Sequence, residues 1–92
     1  MLSFDGDLFY RGTLDDAHMD EAEAWIRKAI EMDERHQMLL YLARDYALYA
    51  EFFKKKGDLV QIREKLNTAI SIFRQCGADG WVKKYEEELT RL

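Results

Sequence analysis

The sequence predicts an all-α fold built from antiparallel helix hairpins, and three observations predict it. The 92-residue chain has no proline and only five glycines, which favours long helices over a loop-rich β fold. Apolar residues recur at helical spacing through four successive stretches. Turn residues interrupt those stretches at Gly57-Asp58 and between Gly77 and Gly80. A chain of this length is expected to hold one core and one domain. Residues 1–14 are set apart as an N-terminal arm or degenerate helix, and residues 15–92 as the helical domain.

The arm carries Leu2, Phe4, Leu8, Phe9, Tyr10 and Leu14, which want burial but follow no single period. Gly6 and Gly12 break any regular element within it. The first clear helix is expected from about Asp16 to Asp33. Carboxylates crowd its start, where a helix presents its positive end, and Thr13, Asp15 or Asp16 can cap it. Met19, Ala22, Ile26, Ala29 and Ile30 form its apolar face, with Trp25 on the flank. A break follows near His36, which reads as a turn or capping residue.

The second helix, about Gln37 to Lys55, is apolar on almost every side. Leu39, Leu42, Ala43, Tyr46, Tyr49, Ala50 and Phe53 fill one wide face, and Met38, Tyr41, Leu48 and Phe52 another. Gln37, Arg44, Glu51 and Lys55 form a thin polar line, with Asp45 beside it. Such a helix is expected at the centre, packed on two sides. Gly57 suits the left-handed residue after a helix, and Asp58 suits an N-cap. The third helix, about Asp58 to Gln75, places Leu59, Ile62, Leu66, Ala69, Ile70, Phe73 and Cys76 on one face. The last, about Asp79 to Leu92, offers Val82, Tyr85, Leu89 and Leu92 to the core, with Asp79 as the candidate cap and Trp81 at its mouth.

Chemistry is sparse. The net charge of −4 speaks against nucleic acid, which needs a clustered basic face. The one basic run, Lys54 to Lys56, fits a helix C-terminus, with a phosphate contact as the alternative. Asp15, His18 and Glu21 can share a helix face, and Asp5-Gly6-Asp7 has the start of a calcium loop, but neither has a full ligand set. Cys76 is the single cysteine, so no internal disulfide forms; it is expected as an inert core thiol. No catalytic residue, cofactor or metal site is expected, and a small enzyme or metal protein is the remote alternative. No apolar run approaches a membrane span and no secretory leader is expected, so the expected location is the cytoplasm.

The third helix matches the first at a shift of 40 residues. Met19, Ala22, Ile26, Ala29 and Ile30 map onto Leu59, Ile62, Leu66, Ala69 and Ile70. A helical unit recurring at such a period is the mark of an α-solenoid. The stretch carrying Tyr46, Tyr49, Ala50, Phe53, Gly57, Ile62, Leu66 and Ala69 resembles a tetratricopeptide repeat of the long-helix kind. Residues 21–33 resemble the second helix of a preceding repeat. The family's closing proline is absent, and Ile62 replaces its usual small residue. Residues 43–51 and 73–82 look like the C-terminal repeats of large bacterial signalling proteins of the nucleotide-cyclase or ATPase type. The resemblance implies about 1.5–2 repeats plus a C-terminal capping helix.

It also implies a non-catalytic scaffold that binds a peptide or helix of a protein partner or a neighbouring domain. The contact line would be Arg44, Ala47, Leu48, Glu51 and Lys55, on the one complete inner helix. The alternative is a homodimerisation module or the regulatory tail of a larger signalling protein, with Phe4, Phe9, Tyr10 and Trp25 as the candidate dimer edge.

Overall fold

The computed structural model describes the backbone of residues 16–92 and the side chains of residues 19–92. The arm with Phe4, Phe9 and Tyr10, the Asp5–Asp7 motif, and the side chains of Thr13, Asp15, Asp16 and His18 lie outside the described residues. Four helices follow in order: α1 (Asp16–Arg35), α2 (Leu39–Lys56), α3 (Leu59–Gln75) and α4 (Asp79–Thr90). Each packs chiefly on the next in the chain, most extensively α2 on α3. The second helix therefore lies between α1 and α3, as its nearly all-round apolar surface requires.

The same turn joins every pair of helices. Met38 N–H donates to Asp33 O at 2.8 Å, Asp58 N–H to Phe53 O at 3.1 Å, and Ala78 N–H to Phe73 O at 2.9 Å. In each case the preceding residue also donates back into the last turn, and that residue is left-handed: Gln37 at φ 56°, Gly57 at 76° and Gly77 at 74°. These are Schellman closures, which satisfy the last helical carbonyls through one left-handed residue. They fall at positions 37, 57 and 77, so the chain advances by equal units of helix plus turn. Glycine adopts this backbone freely; Gln37 does so at a steric cost.

Asp58 caps α3, its Oδ1 accepting from Gln61 N–H at 3.2 Å. The expected cap of α4 needs correction. Ala78 holds the N-cap position and Asp79 falls inside the first turn, where its charge meets the helix's positive end.

Two apolar clusters fill the core. One joins Ala43, Ala47, Ala69, Ile70, Phe73 and Val82; the other joins Ile26, Tyr49, Ala50, Phe52, Ile62 and Leu66. Ala43, Ala50 and Ala69 have no exposed surface. Small side chains at such points let helix backbones approach closely. Phe73 stacks against Trp81 and Tyr85 of α4 with ring centroids 5.8 and 5.7 Å apart.

The ends of the helices depart from the periodic expectation. Met38, Leu39 and Tyr41 belong to the expected apolar faces of α2, yet all are exposed, as is their neighbour Leu40. No described element covers this first turn. Leu59, in the first turn of α3, is 46% exposed for the same reason, and Leu92 lies beyond the end of α4. Cys76 is exposed rather than buried. It occupies the C-cap of α3, where the helical period has already ended. The 40-residue match survives best in its middle: Ile26 and Leu66 are both buried, but Ala29 and Ile30 are only partly buried where Ala69 and Ile70 are fully so. Helix α3 has neighbours on two sides, whereas α1 has one described neighbour.

Candidate functional site

The predicted contact residues divide between surface and core. Arg44 and Lys55 are exposed, and Leu48 and Glu51 half-buried. Ala47 is buried in the cluster around Phe73, out of a partner's reach. The remaining stripe of α2 runs alongside α4. Lys54 Nζ donates to Glu51 at 2.9 Å and to Glu88 of α4 at 2.5 Å. Desolvation works to lower the Lys54 pKa, but the hydrogen bonds to Glu88 and Glu51 outweigh it and raise it. Tyr85 sits within the field of Glu88, Glu51, Arg44 and Lys54, and burial together with Glu88 pushes its phenol upward. Lys84 lies over the rings of both Trp81 and Tyr85, at 5.1 and 5.5 Å. The α2–α4 strip thus offers aromatic rings and charges of both signs.

Lys54, Tyr85 and Glu88 were not legible as members of this strip. Lys54 belongs to a run that reads as a helix end, and Tyr85 falls on the core stripe of α4. Only the stagger of α4 against α2 brings them beside Arg44 and Glu51.

A second surface lies on α1. Trp25, Lys28, Ala29, Met32 and Asp33 line an open groove of about 270 Å³. Trp25 is 55% and Met32 43% exposed. The other side of α1 is tied to α2 by Tyr49. Arg27 Nε donates to the Tyr49 oxygen at 3.0 Å, and the Tyr49 hydroxyl donates to Glu23 at 2.5 Å. The Lys65 ammonium lies 5.0 Å from the Tyr49 ring centre. A buried tyrosine thus serves as core ring and polar link together.

Asp45 does not extend the polar line outward. Its Oδ2 is buried and has no hydrogen-bond donor, and the carboxyl lies within hydrogen-bonding reach of Asp33 on α1. Burial first, and then Asp33, push the Asp45 carboxyl up to about 7, against the opposing pull of Arg44.

Among the described residues, no group of three or more His, Cys, Asp or Glu side chains is placed to hold a metal ion. No helix among them is long and apolar enough to cross a membrane. Comparison with protein-family models, with characterised proteins and with solved structures yields no match. The tetratricopeptide resemblance accordingly stands on the residues quoted for it above.

Proposed function

We propose that this chain is a non-catalytic protein–protein interaction scaffold, a short α-solenoid of tetratricopeptide type that holds a peptide or helix of a protein partner along the α2–α4 strip. The observation that carries the proposal is the side-by-side placement of Arg44, Leu48 and Glu51 with Tyr85 and Glu88. Two equal 20-residue steps between the left-handed closures at 37, 57 and 77 support the solenoid reading. A rigid stack can order an extended ligand at little conformational cost to itself. Tyrosine and arginine are the side chains that most often anchor such contacts.

Display of random peptides against the full chain tests this. The expected result is a recurring acidic or aromatic motif whose binding drops at least tenfold on Arg44→Glu, with helical content unchanged by circular dichroism. Selected peptides that bind wild type and R44E equally would overturn the assignment of the strip. Glu51 is a poor choice for the test, because its replacement also disturbs Lys54 and Glu88.

A homodimerisation module is the second reading, and the exposure of Trp25 and Met32 along one face of α1 favours it. A two-fold pair of α1 helices would cover both residues at once.

A further inference from the structure

We propose that the α1–α2 junction is a proton-controlled latch, in which a proton on the buried Asp45 carboxyl, facing Asp33, holds the end of α1 against α2 and its loss releases that end. The geometry is a pair of carboxyl groups at a helix–helix interface. Asp33 sits in the last turns of α1 and Asp45 in the second turn of α2. Oδ2 of Asp45 is buried and meets no donor. With Asp45 protonated, its hydroxyl can donate to Asp33. With none, two like charges face each other, and hydrating the buried oxygen favours parting the helices.

Few groups act on Asp45, while Lys28 shares the α1 groove with Asp33. Asp33 is the group that α1 presents to Asp45, and Arg44 is the one from its own helix. Neither α3 nor α4 presents a charged group that acts on it. Arg44 favours the ionised form of Asp45 but also serves the surface that includes Tyr85.

Two further features weaken this junction. The C-terminus of α1 is the negative end of its dipole, and Asp33 and Glu34 add charge of the same sign there, with Arg35 as the counterweight. The turn that follows is closed by Gln37, the one non-glycine residue among the three left-handed closures. When α1 lifts, Ile30 and Tyr46, the partly buried neighbours at this interface, lose their cover.

The direction of the pH effect follows from the proton count. The closed latch keeps a proton up to about pH 7, while a free aspartate loses it near pH 4. Between those values the closed form binds the extra proton, so acid tightens the latch and rising pH loosens it. Above about pH 7 the effect levels off. The opening equilibrium rises by up to about tenfold per pH unit across that window.

Amide hydrogen exchange on the full chain between pH 5 and 8, corrected for intrinsic rates, tests the latch. Protection of residues 26–35 should fall as pH rises to 7 and then level, while protection in α3 changes less. Asp45→Asn removes the shared charge and supplies a donor, so it should flatten the pH dependence of α1. Carboxyl-carbon NMR titration of Asp33 and Asp45 in the unsubstituted chain provides a readout that needs no variant. One carboxyl titrating near neutrality supports the latch. Both titrating in the ordinary aspartate range, or α1 protection independent of pH, would overturn it.

Discussion

Gln37 and Tyr49 show how much a single side chain decides here. Gln37 carries the left-handed backbone that its two counterparts assign to glycine. Gln37→Gly removes the Cβ clash and is expected to stabilise the chain by about 0.5–1 kcal/mol, read as a higher urea midpoint at unchanged slope. A lower midpoint would show that the Gln37 side chain makes a compensating contact. Tyr49→Phe keeps the ring but strips the hydroxyl from Arg27 and Glu23. The expected loss is about 1–2 kcal/mol, since hydrogen bonds to charged groups exceed the neutral average. Cys76 is the clearest reversal at this scale. An apolar stripe carried one residue too far makes it a core thiol; the C-cap position makes it exposed. It should react with a thiol reagent in the native chain at close to the rate of the unfolded chain.

At the level of elements, the helices divide by how many neighbours they have. Among the described residues, α2 and α3 supply all but two of the buried apolar residues, Ile26 of α1 and Val82 of α4. Phe73 is the joint of the larger assembly, fully buried on α3 and stacked on two rings of α4. Phe73→Ala is expected to cost about 3–5 kcal/mol, most of the stability of a domain this small, and to abolish cooperative unfolding. Ile26→Ala acts differently. It should loosen α1 more than α3, because α2 and α3 pack on each other more extensively than α1 packs on α2, although Ile26 shares a cluster with Ile62 and Leu66. Equal loss of protection in α1 and α3 would show a single cooperative unit instead.

For the whole molecule, the open question is what covers the exposed apolar residues at the helix ends and on α1. Trp25 and Met32 lie on α1, and Met38 to Tyr41 on the first turn of α2. Sedimentation equilibrium separates the two readings of the chain. A monomer–dimer equilibrium that Trp25→Glu shifts toward monomer by tenfold or more supports the dimerisation module. A monomer at high concentration leaves the scaffold reading and the α2–α4 strip.

The sequence by itself determined the helices, their order and the glycine turns at 57 and 77, but it read Gln37, the left-handed residue of the first turn, as the start of the second helix. Glycine and aspartate at positions 57 and 58 state their backbone roles locally, and a 3.6-residue period reports which side of a helix is apolar. It also marked α2 as the helix with neighbours on both sides. The tertiary structure alone decided what each side chain meets. Period cannot show where a helix projects past its neighbours, so Met38, Leu39, Tyr41 and Leu59 read as core and stand exposed. Nor can it show which groups meet across an interface. The stagger of α1 on α2 placed Asp33 against Asp45, and that of α4 on α2 placed Glu88 against Lys54. Those pairings depend on distances between residues far apart in the chain, and no local pattern encodes them.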